Sequence, residues 1–484
     1  MSSFHILGGT PLAGAVHASG SKNAALPIMA ASILASEPVW LEGVPNLVDV
    51  DTLSLLLGFL GVEVKRTGER ESFPLRIETI DDEPVTASHG LVRRMRASFC
   101  VLGPLLARRG RAIVSLPGGC RIGDRPVDLH LKGFAALGAE IRFERGYVIA
   151  EARRLKGAQV HMSGRRGPTV TGTANVLCAA TLARGRTIIT GAAREPEIVD
   201  LGRFLKQLGA RIDGLGTSTI EVTGVEQLGS ARHRVIPDRI EAATLLIAGA
   251  ITGGDVTIHD VIPEHLEAVL HVLDQAGATL NVERRSVRIR TPQLMRGFDV
   301  TAQPYPGVPT DVQAQLMALA CVANGPSVVR DDVFAERFSH VAELNRLGAK
   351  IERHGQSATI QGSRRLLGAP VIASDLRASA ALVLAALATE GKTDVHRIQH
   401  LDRGYERLDG KLARLGGRVV RHAAAAEPLD GSTVDFPKEQ ISAGVFPPTA
   451  ARPFADQSVR SLRPVQSAVP FATESPGCQR STGK

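Results

Sequence analysis

Six times along the chain a helix-period stretch of apolar residues ends in a small residue or leucine, then a glycine, then a short alternating tail. The six marks are Leu60-Gly61-Val62-Glu63-Val64, Leu137-Gly138-Ala139-Glu140-Ile141, Leu208-Gly209-Ala210-Arg211-Ile212, Ala276-Gly277-Ala278-Thr279-Leu280, Leu347-Gly348-Ala349-Lys350-Ile351 and Leu415-Gly416-Gly417-Arg418-Val419. Their first glycines lie 77, 71, 68, 71 and 68 residues apart. A glycine at this place predicts a left-handed helix cap, and the alternating tail predicts the start of a strand. A steady period of about 70 residues predicts one unit copied six times. The period exceeds that of solenoid repeats, so each copy is expected to hold several strands and at least one helix, an α/β design. The Ala-rich apolar runs at 24–35 and 378–389 predict buried helices. No uninterrupted apolar run reaches the ~18 residues of a membrane span.

The pattern stops after Val419-Val420-Arg421-His422. Residues 423–484 are rich in Pro, Ser, Ala and Gly, with little apolar periodicity, and are expected to be disordered. The tail carries six basic and six acidic side chains, so the net charge of +8 belongs to the repeat region. A length of 484 residues predicts two or three domains, and 44% apolar residues suffice for their cores. The positive charge could suit nucleic acid, but aromatic residues make up only 4%, which leaves few stacking platforms. Small anionic ligands fit better. Five cysteines without regular spacing form neither a disulfide framework nor a zinc motif, and favour a reducing, cytoplasmic setting. The opening Met-Ser-Ser-Phe-His-Ile carries no signal-peptide pattern.

Chemistry concentrates in residues 117–130, Pro-Gly-Gly-Cys-Arg-Ile-Gly-Asp-Arg-Pro-Val-Asp-Leu-His. Gly118 and Gly119 free the backbone before Cys120, and Arg121 and Arg125 follow it. Neighbouring positive charge lowers a thiol's pKa, which suits it to proton transfer near neutral pH, and two arginines can grip phosphate or carboxylate. A lone cysteine is otherwise usually a small buried hydrophobe, and the residues alone leave both readings of Cys120 open. Cys100, Cys178 and Cys321 lie in apolar helical runs and read as buried; Cys478 reads as an exposed thiol in the tail. Ser19-Gly20-Ser21-Lys22-Asn23 predicts a helix N-terminus, either an anion site beside Lys22 or a plain cap with a solvated lysine. Met95-Arg96-Ala97-Ser98 opens another helix. Asp311, in the Pro/Gly turn 306–313, is either a capping acid or a general base. Arg337, Arg377 and Arg403 sit in turns or helix starts; each alone reads as a surface arginine, but six repeats can bring such ends into one cleft.

Taken together, Ser21-Lys22-Asn23-Ala24-Ala25-Leu26-Pro27, Met95-Arg96-Ala97-Ser98, the Cys120 loop, the Asp311 turn and Leu401-Asp402-Arg403-Gly404-Tyr405-Glu406 resemble the UDP-N-acetylglucosamine 1-carboxyvinyltransferase family. These are the enolpyruvyl transferases of the first committed step of peptidoglycan synthesis. The resemblance runs from about residue 4 to 422, and the cysteine motif is absent from the sister shikimate-pathway family. It implies an inside-out α/β barrel of two domains with three repeats each, 21–235 and 1–20 with 236–422, and an active site between them.

It also implies a reaction: the 3-hydroxyl of UDP-N-acetylglucosamine adds to carbon 2 of phosphoenolpyruvate, and phosphate then leaves. Cys120 matches the general acid, which an epoxide phosphonate such as fosfomycin would alkylate, and Asp311 matches the residue proposed as base. Lys22, Arg125 and Arg403 match positions that hold phosphoenolpyruvate, with Asn23 and Arg377 beside them and Arg337 lining the cleft. Arg96, Arg125, Pro126, Val127, Asp128, Leu129, Asp311 and Val333 match the nucleotide-sugar site. No metal or organic cofactor, nucleic-acid partner or membrane is implied. Two features depart from the family pattern. Where a short Ser-Val-Gly stretch often meets the diphosphate, residues 164–172 read Gly-Arg-Arg-Gly-Pro-Thr-Val-Thr-Gly, with Arg165, Arg166 or Thr169 as substitutes. The tail from 423 has no counterpart. Two other readings stand beside the transferase. A different enolpyruvyl transferase is opposed by Cys120 and the Asp311 turn. A non-catalytic UDP-sugar-binding paralogue is opposed by the intact Cys120, Lys22, Asp311 and Arg403.

Overall fold

The computed structural model describes residues 2–67, 74–117, 127–292, 295–362 and 365–422. Cys120, Arg121, Arg125, Pro126 and the tail, all singled out above, lie outside the described residues. The chain divides into two units, Met1–Pro428 and Leu429–Lys484, and every described residue belongs to the first.

Among the described residues, six four-stranded sheets share one plan. In each, an edge strand runs parallel to its neighbour, and the other two strands follow antiparallel. The unit formed by Gln159–His161, Arg186–Thr190, Arg211–Asp213 and Thr219–Thr223 is typical. Its parallel pair requires a crossover, supplied by helix Val170–Ala180. Helix Pro196–Gln207 then leads through Gly209 to the strand Arg211–Asp213, which returns as a hairpin. The six repeat glycines all take the left-handed conformation, with φ between 73° and 107°. Each is followed at once or within two residues by a strand, as the sequence pattern predicts.

Two sheets are completed from a distance. Arg232–Arg234 pairs with Val39–Glu42, and Ala13–His17 pairs with Asp255–His259. The chain therefore passes twice between the sheets it builds, at 18–21 and again at 235–239, and the two passages are stitched together. Ser21 N–H donates to the Ile236 carbonyl at 2.7 Å and Asp238 N–H to the Ser19 carbonyl at 2.8 Å. Gly20 is required here: a Cβ would lie 1.7 Å from the Gly43 carbonyl oxygen.

Two separate apolar clusters form the interior among the described residues, one drawn from 24–236 and the other from 4–16 and 240–415. At the centre of the second, helices Arg239–Ile251, Gln313–Val322 and Leu376–Leu387 pack on one another and are buried almost all round. The sheets lie outside them, and strands such as Arg211–Asp213 alternate exposed and buried positions. Both Ala-rich runs fall in buried helices, as expected, the first in Lys22–Ala31 of the first cluster and the second in Leu376–Leu387. The helix expected from Met95 starts as a 3-10 helix, Arg96–Val101, and becomes α only over Leu102–Arg109. Pro104 has no N–H to give the Cys100 carbonyl, so the α ladder cannot extend further back. Cys100, Cys178 and Cys321 are buried, and burial pushes the Cys100 and Cys321 thiols up to about 12, so both stay protonated at neutral pH. No helix among the described residues is long and apolar enough to cross a membrane.

Candidate active site

Ser21 caps helix Lys22–Ala31 by accepting from Ala24 N–H, so Lys22 and Asn23 stand in its first turn. Lys22 is not solvated. Its side chain is 10% exposed and its Nζ lies 3.1 Å from Oδ2 of Asp49, in the first turn of helix Val48–Phe59. The other oxygen of Asp49 accepts from Nε of Arg403 at 2.9 Å. Arg403 ends the 3-10 helix Ile398–Arg403, far along the chain, and packs with the second cluster's segment. Beside it, Asn46 N–H donates to Glu406 at 3.0 Å.

Asn23 leads to the second group, its Nδ2 lying 3.5 Å from Oδ2 of Asp311. Asp311 makes no capping bond to the helix that follows it. Instead Nη2 of Arg377 lies 2.7 Å from one carboxylate oxygen and Nη1 of Arg337 lies 2.8 Å from the other. Both guanidiniums are buried, against the surface reading each earns alone. Burial by itself would raise the Asp311 pKa, but Arg377 and Arg337 outweigh it and hold the carboxyl well below its usual range. Arg377 also covers the ring of Tyr405 at 5.4 Å, and the Tyr405 hydroxyl is held by Thr244 and Gln315 at 3.0 Å each.

Val333 is fixed by Asp331, whose Oδ1 accepts from Val333 and Phe334 N–H at 2.9 and 2.7 Å. The other oxygen of Asp331 accepts from the Thr310 hydroxyl at 2.5 Å, which ties the Val333 loop to the Asp311 turn. A third group lies around helix Asp128–Ala136. His130 is 3.3 Å from Thr171 and 3.1 Å from Asn175. Burial, and then Arg96 nearby, pushes its pKa down to about 3, so it is neutral. Thr169 caps helix Val170–Ala180, and a Cβ at Gly164 would touch Leu129 at 3.5 Å. The altered 164–172 stretch thus borders Leu129 and His130. Its hairpin also reaches the segment leading into the Asp311 turn, because a Cβ on Gly167 would meet Pro304 at 2.9 Å.

Lys22, Asn23, Asp311, Arg337, Arg377 and Arg403 therefore form one connected constellation, with Val333 anchored to its edge. Val127 and Asp128 open the neighbouring helix, where Asp128 is exposed and 3.5 Å from Lys132. Asp49, Asp331 and Tyr405 belong to the constellation without having been marked as functional in the sequence. Asp49 and Asp51 are both first-turn acids of helix Val48–Phe59, a pattern that by itself suits the helix dipole; only Asp49 is buried. Among the described residues no cluster of His, Cys, Asp and Glu is arranged to hold a metal ion.

Comparison with known proteins bears on the chain as a whole. The model of the EPSP synthase (3-phosphoshikimate 1-carboxyvinyltransferase) family matches residues 6–412. A UDP-N-acetylglucosamine 1-carboxyvinyltransferase of Geobacter metallireducens is 51% identical over 416 residues, 86% of this chain and 98% of that protein. Its counterpart in Myxococcus xanthus is 50% identical over 419 residues, 87% and 99% of the two chains. Among solved structures, the enolpyruvyl transferase NikO from Streptomyces tendae superposes with a TM-score of 0.78 at 26% identity, over 87% of this chain and 99% of that one. An EPSP synthase from Acinetobacter baumannii, at 19% identity and a TM-score of 0.67, shares the fold. A family match along most of the chain, together with half-identical relatives aligned over nearly their whole length, means that this chain belongs to the enolpyruvyl transferases and, among them, to the UDP-N-acetylglucosamine 1-carboxyvinyltransferase family.

Proposed function

We propose that this chain transfers the enolpyruvyl group of phosphoenolpyruvate to the 3-hydroxyl of UDP-N-acetylglucosamine and releases phosphate, the first committed step of peptidoglycan synthesis. The carrying observation is the convergence of Lys22, Asn23, Arg337, Arg377 and Arg403 from distant segments onto two carboxylates, the buried Asp49 and the half-buried Asp311, in a chain half identical to relatives bearing that name. In this reading Lys22, Arg403 and Arg125 grip the phosphate and carboxylate of phosphoenolpyruvate, and Asn23 and Arg377 border them. The sugar oxygen bonds to carbon 2 while Cys120 delivers a proton to the methylene carbon, giving a tetrahedral adduct. Return of a methyl proton to the Cys120 thiolate and departure of phosphate then restore the double bond.

Asp311 accepts the hydrogen bond of the attacking hydroxyl. A carboxylate held well below its usual pKa is a weak base, so its first duty is to orient the hydroxyl, and it takes the proton only as the carbon–oxygen bond forms. Arg96, Val127, Asp128, Leu129 and Val333, with Arg125 and Pro126, surround the nucleotide sugar, and residues 164–172 border its diphosphate. Residues 21–235, and 1–20 with 236–422, act as two domains around the cleft, a reading supported by the two separate apolar clusters. Three free buried cysteines and soluble nucleotide substrates favour the cytoplasm.

The test is phosphate release from phosphoenolpyruvate with UDP-N-acetylglucosamine, with shikimate 3-phosphate, or with no acceptor, using wild type and Cys120→Ala in parallel. Release that requires both the nucleotide sugar and Cys120 is the expected result. Release with shikimate 3-phosphate alone would assign the sister reaction. Silence from protein that still binds UDP-N-acetylglucosamine would assign a non-catalytic binder.

A further inference from the structure

The carboxylate of Asp49 sits between Lys22 and Arg403, the two described cations assigned to phosphoenolpyruvate. One oxygen faces each: Oδ2 lies 3.1 Å from Lys22 Nζ and Oδ1 lies 2.9 Å from Arg403 Nε. The two cations come from opposite sides of the cleft. Lys22 and Asp49 stand on helices that pack in the 24–236 cluster, whereas Arg403 follows Leu401 of the other cluster. The burial is graded: the side chains of Asp49, Lys22 and Arg403 are 5%, 10% and 38% exposed. Asp49 thus holds Arg403 at Nε, and Arg403 is the most exposed of the three side chains. The Asn46–Glu406 bond one turn away docks the same two segments.

An acid among substrate-binding cations costs affinity by simple charge, since it cancels part of the positive field that attracts a trianion. Its retention in a buried position therefore needs a compensating role. Without it, two like charges would be pressed together across the cleft, and Arg403 would keep only the exposed freedom of a long side chain. We propose that Asp49 is a positioning residue, a cross-cleft latch that draws Arg403 onto Lys22 and so assembles the phosphoenolpyruvate grip from two halves of the molecule. This rests on the assignment of Lys22 and Arg403 to phosphoenolpyruvate given above.

The experiment compares wild type, Asp49→Asn, Arg403→Gln and the double variant in the full-length chain. It measures KM for each substrate from phosphate release, and phosphoenolpyruvate binding by calorimetry. Loss of charge-assisted bonds at Asp49 is expected to raise KM for phosphoenolpyruvate about 10- to 100-fold, with KM for UDP-N-acetylglucosamine little changed. The double variant is expected to match Arg403→Gln alone, because Asp49 acts through that arginine. Additive penalties, or an equal rise in both KM values, would overturn the latch. So would a lower KM for phosphoenolpyruvate, the signature of a mere counter-charge. If Asp49→Asn does not fold, Asp49→Glu serves, with a smaller rise confined to phosphoenolpyruvate expected and a rise in both KM values fatal to the idea. Wild type that turns nothing over but binds phosphoenolpyruvate would sink the reaction and leave the latch to be judged by binding alone. Wild type that does not bind phosphoenolpyruvate would sink both.

Discussion

One carboxylate, Asp311, carries two buried guanidiniums and an amide, and that crowding sets its chemistry. The two guanidiniums hold its carboxyl well below the usual range, so a loss of stability in mild acid is sought elsewhere. Buried histidines are the clearest source. Burial pushes His130 down to about 3 and His340 to about 4, with Arg96 adding to the first and Asp375 partly opposing the second. In the unfolded chain both would titrate near about 6.5. As pH falls below that value the unfolded state takes up protons that the folded state refuses, so stability is intact above it and declines towards pH 4. At pH 5 each histidine removes about 2 kcal/mol. His340 allows a clear test, because its Nε2 has no hydrogen-bond partner among the described residues and its ring stacks on Phe338. Urea midpoints of wild type are expected to fall between pH 7 and pH 5, and those of His340→Leu to fall distinctly less. Parallel curves for the two proteins would refute the assignment.

At the scale of elements, the helix starts explain both what the sequence disclosed and what it hid. Ser21, Thr169, Asp238 and Asp375 each cap a central helix with a side-chain oxygen. Asp311 stands just ahead of the equivalent helix in its own unit and is turned away to two arginines, so an identical local signal serves a different purpose. Local pattern cannot separate these cases, because Arg377 arrives from the next unit and Arg337 from beyond the following strand, Pro326–Asp331. The same holds for Asp49, whose partner is 354 residues away. Helix ends were legible because their cause is local: the six glycines adopt a backbone conformation that side chains disfavour. Gly348, at φ 93°, isolates that cause, since nothing lies within 4 Å of an added Cβ. Gly348→Ala is expected to fold, to keep activity, and to lose about 1–2 kcal/mol in urea unfolding from backbone strain alone. Gly20→Ala, which drives a Cβ into the Gly43 carbonyl at the chain crossing, is expected to be far more damaging. Equal midpoints for Gly348→Ala and wild type would show that the cap does not bear this strain.

On the scale of the whole molecule, the question is where the working body ends. The last described strand, Arg418–His422, pairs along its full length with Ser3–Leu7, so the two ends of the repeat region close one sheet. Arg421 adds ion pairs to Asp402 and Asp409, which brace the turn that presents Arg403. Everything up to His422 is therefore tied to the proposed active site. Residues 423–484 are balanced in charge and lie beyond the matched stretch of 6–412, and the Geobacter relative aligns over 98% of its own length with only 416 residues of this chain. The reaction proposed here thus needs nothing from the tail. A chain ending at His422 is expected to release phosphate within a few-fold of the full chain and to unfold at the same urea concentration. A chain ending at Gly417 loses the strand and the Arg421 brace, and is expected to drop in both stability and turnover. Loss of turnover already in the first truncation, with its urea midpoint unchanged, would show that the tail takes part in the reaction itself.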